Sequence, residues 1–387
     1  MLVGAIGIAA GTAHAAGGSS VALGAYIPQA IEHPGRIDSF ARLIGRPPVV
    51  VSYYKQWDSM PFEPAELDAI WGRGAVPMVT WEPLSYLGRE FPLGAIQRGR
   101  YDEYVRRSAR AAAAWGRPIL LRFAHEMNGD WYPWGRGVGD NNSYRLRAVW
   151  RHLVGIFRAQ GADNVEWVWA PNVNTGGDFP FRDLYPGDAW VDWVGFDGFN
   201  WALRGEWNSF TDVFDNSYEE MAKLSSRPMI VTETGSSESG GDKAAWVASA
   251  LRREIPGFPR IRAVVWFNDT FSDRGEGGDG EDVDARAKSS IEALRAFRSA
   301  IATPRYSLTR AGLLATPNEL LGGSVAPAAP GDRFGQPSLY YRITQKLHGK
   351  YAWYAAGLAV VAVVSFLAAI LVVRRHLRSG AEGSAAR

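Results

Sequence analysis

The sequence contains no cysteine. Disulfide bonds, thiolate metal sites and cysteine catalysis are therefore excluded, while the redox compartment of the protein stays undetermined. An excess of charge of one sign is also lacking, because 42 basic and 40 acidic residues leave a formal net charge of +2. A surface that binds nucleic acid or a polyanionic substrate needs a stronger bias, so we expect no nucleic-acid partner.

No metal and no cofactor are expected either. The most acidic, glycine-rich stretch, residues 272–284, suggests a calcium loop at first sight. It lacks both the ligand spacing and the final glutamate of an EF-hand. An acidic loop without a metal is the simpler interpretation.

What the sequence does contain is a repeated alternation of apolar runs and helix-like segments. Most of the runs are continuously apolar, as expected of parallel strands that are covered on both faces. Eight such alternations predict an α/β fold, a (β/α)8 TIM barrel, and 47% hydrophobic residues suffice for its core. The predicted strands cover residues 22–28, 48–57, 76–83, 118–128, 165–172, 191–201, 228–235 and 261–269, and the clearest helices cover residues 101–115, 143–160, 212–224 and 243–254.

One predicted strand leads into the most informative segment of the chain, LRFAHEMNGDWYPW at residues 121–134. Its first residues are apolar and belong in a core, whereas Glu126 is followed by a glycine-containing loop rich in aromatic side chains. Such a combination suits a sugar, because its C–H faces stack on aromatic rings while its hydroxyls need polar partners. The segment therefore indicates a carboxylate inside a sugar-binding cleft.

A second apolar run, PMIVTETG at residues 228–235, ends in Glu233. The two segments resemble the catalytic segments of glycoside hydrolase family 26, whose members cleave β-mannans and, in some cases, β-1,3-1,4-glucans or β-1,3-xylans. The resemblance covers about residues 22–302 and implies that Glu126 is the acid/base and Glu233 the nucleophile. A retaining glycosidase independently needs two carboxyl groups roughly 5–5.5 Å apart, one to protonate the leaving oxygen and one to form the glycosyl ester.

Two basic residues accompany the first glutamate. The resemblance implies that His125 orients the carboxylates, and a hydrogen-bonded core histidine is the alternative. Arg122 shares strand parity with Glu126, so its guanidinium is expected inside the barrel, where it would favour ionised Glu233. A structural ion pair within the barrel is the alternative for Arg122.

Two residues of the sixth predicted strand complete the supporting set. Asp197 corresponds to a family aspartate near the catalytic centre, or else it caps a loop. Phe199 departs from the family pattern, because many members have a tyrosine here whose hydroxyl hydrogen-bonds the nucleophile. We expect the missing bond to cost on the order of 1–2 kcal/mol of orientation or pKa control.

The candidate substrate contacts lie at or just beyond the C-terminal ends of the predicted strands, where barrel enzymes place their active sites. The 16 tryptophans cannot all bind sugar, and those in predicted helices are expected to pack the outer shell. The predicted substrate-binding residues are Trp81, Trp131, Trp134, Asn172, Trp201 and Trp266.

The two ends of the chain predict its location. Residues 1–20 contain a short apolar run and an Ala-His-Ala sequence typical of a signal peptide, although no basic residue precedes them. Residues 351–374 form an apolar stretch long enough, at ~1.5 Å per residue, to cross a ~30 Å hydrocarbon core. Arginines follow it, which predicts a cytoplasmic tail at residues 375–387 and an extracellular barrel. Between the catalytic domain, residues 21–302, and the span, residues 303–350 resemble a linker in composition.

The sequence therefore predicts a membrane-anchored, extracytoplasmic retaining endo-β-glycosidase that acts on β-mannan or mixed-linkage β-glucan. The alternative is a membrane-tethered polysaccharide-binding module that has kept the cleft and lost turnover. Phe199 favours this alternative, whereas the presence of both glutamates argues against it. The residues leave open which β-glycan is bound and which oligomeric state the protein has.

Overall fold

The computed structural model describes residues 20–88, 90–173, 180–201, 206–272 and 282–315. Eight parallel strands close into a barrel in which each strand pairs with its neighbours in the chain and the first pairs with the eighth. The predicted (β/α)8 barrel is confirmed. Its strands are β1 Ala22–Tyr26, β2 Val50–Gln56, β3 Val76–Glu82, β4 Ile119–Phe123, β5 Val165–Trp169, β6 Trp193–Asn200, β7 Met229–Ser236 and β8 Ile261–Phe267.

Amphipathic helices surround the strands. In the fifth helix, for example, Leu146, Val149, Trp150 and Leu153 are buried, which is the spacing of one helix face. The helices are α1 Gly35–Ile44, α2 Pro64–Trp71, α3 Leu93–Gln97, α4 Asp102–Trp115, α5 Ser143–Ala159, α6 Phe210–Leu224, α7 Lys243–Ser249, α8 Ile291–Ile301 and α9 Arg310–Leu313. A short antiparallel pair, β9 Thr270–Ser272 and β10 Asp282–Asp284, follows β8.

One connection departs from the expected alternation of strand and helix. Between β5 and β6 the described residues form short 3-10 segments, Phe181–Leu184 and Asp188–Trp190. Pro186 and Gly187 lie between the two segments and interrupt any longer helix.

Apolar side chains fill the barrel at the N-terminal ends of its strands. Ala22, Val50 and Val76 begin β1, β2 and β3 and belong to one buried cluster with Leu120 of β4. The barrel is therefore a packed core rather than a pore, as in other barrels of this type.

The barrel domain continues beyond residue 302, so the predicted domain boundary is wrong. Tyr306 is buried and donates a hydrogen bond of 2.9 Å to the carbonyl of Leu251. Leu313 of α9 is fully buried in the cluster at the N-terminal end of the barrel, and Leu308 packs against the same cluster. Residues 303–315 thus close this end, because the strands leave an apolar floor that these leucines cover.

The described ranges contain no helix that is both long and apolar enough to cross a bilayer. The predicted span at residues 351–374 and the tail at 375–387 lie outside the described residues. The same holds for residues 1–19 of the predicted signal peptide, for the predicted linker beyond residue 315 and for residues 273–281 of the acidic loop.

Candidate active site

Arg122 of β4 lies at the centre of the site and is completely buried. Its guanidinium donates to both carboxylate oxygens of Asp197 on β6, at 2.8 and 2.7 Å, and to the Thr80 hydroxyl on β3, at 3.0 and 2.8 Å. It also donates to Oε1 of Glu233 on β7. Although burial alone disfavours a charge, Asp197 and Glu233 hold the pKa of Arg122 well above its usual range. The arginine is therefore a permanent cation that joins β3, β6 and β7 across the interior of the barrel.

Asp197 is also completely buried, and its carboxylate serves this central network. Besides the two bonds from Arg122 it accepts a hydrogen bond of 2.5 Å from the Thr232 hydroxyl. Its side chain therefore anchors Arg122 beneath Glu233 rather than capping a loop, so that alternative for Asp197 is wrong.

Glu233 accepts a second hydrogen bond, from the Tyr54 hydroxyl on β2, and this also ends on Oε1. Burial, followed by the charge of Glu233, keeps the pKa of Tyr54 well above its usual range, so its hydroxyl remains a donor. Sequence reasoning missed Tyr54, because nothing near it in the chain points to a nucleophile. The one available signal was the alternation of side chains along β2, which places Tyr54 on the same face of the strand as the polar residue Gln56.

Glu126 has neutral partners instead. Its Oε1 accepts a hydrogen bond from the Asn172 amide and its Oε2 one from the Trp131 indole, both at 2.7 Å. Burial, followed by the charge of Glu233, raises the pKa of Glu126 to about 7, although the two hydrogen bonds act in the opposite direction. A carboxyl group with this pKa is partly protonated near neutral pH and can serve as a general acid.

The backbone around Glu126 is strained. Ala124 and Glu126 have φ angles of +45° and +52°, in the left-handed region that side-chain-bearing residues rarely adopt. Each such residue costs on the order of 1–3 kcal/mol and persists only where its surroundings impose it. Here the Ala124 N–H donates to the carbonyl of Trp81 at 3.1 Å and the Glu126 N–H to that of Ala170 at 2.9 Å. Neighbouring strands therefore fix the direction of the acid/base side chain.

His125 is buried beside the site and neutral. Burial, followed by the charge of Arg122, keeps its pKa well below the usual range. Its Nε2 lies 3.2 Å from the Tyr132 hydroxyl, and its Nδ1 has no hydrogen-bond partner among the described residues. Its ring also packs edge-on against that of Tyr54, at 5.8 Å between centroids. The predicted role of His125 in orienting the carboxylates stays a prediction, and packing on Tyr54 is the contact through which it could act.

Three of the predicted sugar contacts are corrected by the structure. Trp81, Trp134 and Trp266 are fully buried and have no ring face to offer a substrate. Trp81 and Trp266 occupy strand positions whose side chains point to the helices, since their neighbours Thr80 and Val265 point inward. The position of a tryptophan at a strand end thus does not decide which face of the strand it occupies.

The remaining predicted contacts surround the open end of the barrel. Trp131 is 45% exposed and, like Asn172, touches Glu126. Trp201 stacks on Phe199, with 3.8 Å between ring centroids. Phe199 lies opposite Gly235 in the β6–β7 pairing, two residues beyond the pair formed by Asp197 and Glu233. A substrate role for Trp131, Asn172 and Trp201 stays a prediction, as does a place for Phe199 beside the nucleophile.

Residues 105–244 match the family model for glycosyl hydrolase family 26, and this stretch includes both glutamates. The chain belongs to this family. Endoglucanase H of Acetivibrio thermocellus is 36% identical to the family 26 chain over 273 residues, which are 68% of this chain and 29% of that protein. A mannan endo-1,4-beta-mannosidase of Bacillus subtilis is 35% identical over 149 residues, which are 36% of this chain and 37% of that protein. The chain therefore spans well under half the length of either relative.

Solved structures of the family share the fold. The catalytic domain of a GH26 endo-beta-1,4-mannanase from Bacillus sp. JAMB-750 has a TM-score of 0.58 at 18% identity and covers 76% of this chain and 88% of its own. An endo-beta-1,4-mannanase of Cellulomonas fimi, studied as a double mutant, has a TM-score of 0.59 at 18% identity, with 77% and 74% covered. Within the described residues no cluster of His, Asp and Glu is arranged to hold a metal ion.

Proposed function

We propose that this family 26 chain is a retaining endo-β-glycosidase that hydrolyses a β-linked polysaccharide by double displacement. One observation carries the proposal: two buried carboxyl groups at the mouth of one barrel have opposite surroundings. Glu233 touches the cation of Arg122, whereas the pKa of Glu126 is raised to about 7 among neutral partners. Groups whose environments differ in this way suit a nucleophile and a general acid.

In the first step Glu233 attacks the anomeric carbon while Glu126 protonates the glycosidic oxygen that leaves. Both hydrogen bonds from Arg122 and Tyr54 end on Oε1 of Glu233, so we assign the attack to Oε2. The glycosidic C–O bond breaks and a glycosyl ester forms. The two donors hold the carboxylate in one orientation, which raises the share of productive encounters.

In the second step the roles of Glu126 reverse. Having lost its proton, it takes one from a water molecule, which attacks the anomeric carbon from the side that the leaving sugar vacated. The ester bond breaks, and Arg122 and Tyr54 stabilise the negative charge that returns to Glu233. Two inversions give net retention of the anomeric configuration.

The relatives narrow the choice of polysaccharide. The relative that covers 68% of this chain is named an endoglucanase, whereas the mannosidase match covers 36%. We therefore favour a β-glucan, with mixed linkages as the first candidate, and place β-mannan second.

A polysaccharide panel tests the proposal. Purified protein is incubated with mixed-linkage β-glucan, glucomannan and linear mannan, and the release of reducing ends is compared with that of a Glu233→Ala variant. We expect release from at least one polymer, abolished in the variant, with β-anomers as the first products in NMR spectra. If the folded protein binds a polymer and releases nothing, the alternative of a binding module with no turnover replaces the enzyme.

We also propose that a helix over residues 351–374 anchors the protein in the cell membrane, with the barrel outside. The uncharged apolar residues 352–373 and the arginines after them support this orientation. Residue 315 lies at the end of the barrel opposite the carboxyl groups, so the chain leaves the barrel domain away from the cleft.

Two truncations test the anchor. Deleting residues 331–387 should convert a detergent-requiring protein into a soluble and active one. Deleting residues 303–387 instead should give an unstable protein, because Leu313 and Tyr306 are buried in the barrel domain. A full-length chain that is freely soluble without detergent would contradict the anchor.

A further inference from the structure

A further buried carboxyl group, which neither catalytic step uses, lies in the mouth of the barrel. Glu82 ends β3 and is only 6% exposed. It shares strand parity with Thr80, whose hydroxyl contacts Arg122, so its side chain points into the barrel mouth. Burial, opposed by a hydrogen bond from Gln56 and by Arg122, raises the pKa of Glu82 to about 7. Near neutral pH this carboxyl group both donates and accepts hydrogen bonds.

Gln56 forms a polar pair with Glu82. The two residues lie opposite each other in the β2–β3 pairing, and the Gln56 amide donates to Oε2 of Glu82 at 3.3 Å. The amide oxygen of Gln56 is buried and has no hydrogen-bond partner among the described residues. Buried acceptors are almost always paired, so this oxygen needs a donor that the described residues do not supply. A sugar hydroxyl is such a donor.

The connection that follows β3 is held together by backbone contacts. Leu84 bridges Glu90, and the Phe91 N–H donates to the carbonyl of Pro83 at 3.0 Å, which holds the base of the connection together. The Tyr86 N–H donates to Asp58 at 3.0 Å and so ties the tip to the loop that follows β2.

At this tip Tyr86 is 68% exposed and Leu87 is 94% exposed. An exposed tyrosine ring on a connection whose backbone is tied to Asp58, together with a partly satisfied polar pair, supplies the two elements of sugar recognition. The catalytic residues are adjacent, since Glu82 is close enough to sense the charges of Arg122 and Glu233. Burial, followed by the charges of Glu32, Asp58 and Glu82, raises the pKa of Tyr86, so Tyr86 lies within electrostatic range of Glu82.

We propose that Gln56, Glu82 and Tyr86 form a sugar-binding subsite that takes one pyranose unit of the β-glycan on the β2–β3 side of the cleft. Gln56 and Glu82 bind hydroxyls of this unit, and the Tyr86 ring stacks on its C–H face. The inference rests on the proposed glycan substrate and adds a second contact region to that of Trp131, which hydrogen-bonds Glu126. The subsite serves long substrates, because a short one can react without reaching it.

A length series tests the subsite. We compare kcat/KM for mixed-linkage β-glucan oligosaccharides of increasing length and for a short aryl glycoside with a good leaving group. Tyr86→Ala should lower kcat/KM on the longest oligosaccharides about five- to tenfold, mainly through KM, and leave the aryl glycoside unchanged. Tyr144→Ala is the matched control, because Tyr144 is 69% exposed and lies on α5, and it should change neither.

Glu82 is tested by two variants. Glu82→Ala should lose about tenfold or more on long oligosaccharides, whereas Glu82→Gln should keep most of the activity, because an amide still pairs with hydroxyls. Equal losses at every substrate length for Tyr86→Ala and Glu82→Ala, or no loss at any length, would overturn the subsite.

Failure of the subsite and failure of the enzyme are distinguishable. If the wild-type protein cleaves no glycan, calorimetry measures the binding of the same oligosaccharides instead. If Tyr86→Ala then weakens the binding of the long oligosaccharides only, the subsite exists in a protein without turnover. Normal cleavage with no dependence on Tyr86 or Glu82 removes the subsite alone.

Discussion

Glu126 and Glu233 are buried to nearly the same extent, yet the groups around them differ in charge. Glu233 receives hydrogen bonds from a permanent cation, Arg122, and from Tyr54. Glu126 receives them from an amide and an indole, which carry no charge. Burial alone favours the protonated form of any carboxyl group, so the presence of a counter-charge decides which one is ready to attack and which one is ready to protonate.

The two carboxyl groups also differ in backbone. Glu233 lies inside β7, where it pairs with Asp197 of β6 next to shifts in the register of both neighbouring strand pairs. Glu126 follows the end of β4 with a left-handed φ of +52°. The nucleophile is thus positioned by the barrel itself and the acid/base by a strained loop that the barrel holds. The following variants test whether these differences assign the two glutamates their separate roles.

The largest effect is expected when the counter-charge is removed. Arg122→Met leaves the buried carboxylate of Asp197 without a counter-charge, which should lower the free energy of unfolding by ~3–5 kcal/mol and abolish hydrolysis. Denaturant unfolding measures the change. Arg117→Met is the control, because Arg117 pairs with Asp68 on the surface and its loss should cost under ~1 kcal/mol. Equal costs for both variants would mean that Arg122 is not the centre of the network.

Removal of the acid/base should affect substrates unequally. Glu126→Ala is expected to lower hydrolysis of the polysaccharide by about a hundred- to ten-thousandfold, but to spare the first step with an aryl glycoside whose phenol needs no proton. Pre-steady-state release of the phenol measures that step. Asp130→Ala, an exposed carboxyl change in the same loop, should leave both reactions intact. Equal losses on both substrates would remove Glu126 from the acid role.

A smaller effect is expected from the hydroxyl that holds the nucleophile. Tyr54→Phe removes a hydrogen bond to a charged group and should slow covalent labelling of Glu233 by a 2-deoxy-2-fluoro glycoside about ten- to a hundredfold. Tyr53→Phe is a matched control on the same strand, because the buried Tyr53 hydroxyl has no hydrogen-bond partner among the described residues.

A double variant, Phe199→Tyr combined with Tyr54→Phe, then tests whether residue 199 lies beside Glu233. Partial recovery of labelling would place the new hydroxyl beside Glu233. Labelling that stays slow, in a variant that folds normally, would show that Phe199 is too far away. A label found on another residue would overturn the assignment of Glu233 itself.

The smallest effect concerns pH. Because Glu126 must carry its proton in the first step and its pKa is raised to about 7, kcat/KM should fall as pH rises through about 7. The Trp131 indole bonds to the carboxylate and favours the ionised form, so Trp131→Phe should raise the pKa and move the basic limb upward by less than about one pH unit.

Trp115→Phe is the control for this shift. It removes an indole donor from Asp68 on the outer shell and should leave the pH profile unchanged. A basic limb that moves downward, or stays in place, in Trp131→Phe would show that the indole does not control Glu126.

The sequence predicted a large part of the site because barrel strands bring distant residues together at one end. Glu126 and Glu233 are far apart in the chain, but both follow apolar runs, and the ends of parallel barrel strands meet at one mouth. The direction of Arg122 followed from its parity with Glu126 in the same way. These inferences needed only local patterns and one general property of the fold.

Tertiary structure alone decided the rest. The contact of Tyr54 with Glu233 depends on the geometry across the barrel interior, which no local pattern records. Whether Trp81 or Thr80 points inward depends on where the strand is in register with its neighbours, because a shift by one residue exchanges the two faces. Leu313 closes the barrel floor through contacts with strands far earlier in the chain, so composition alone marks it as linker. The local sequence determines which residues are apolar and which have side chains suited to catalysis. Only long-range packing determines which of these residues contact each other.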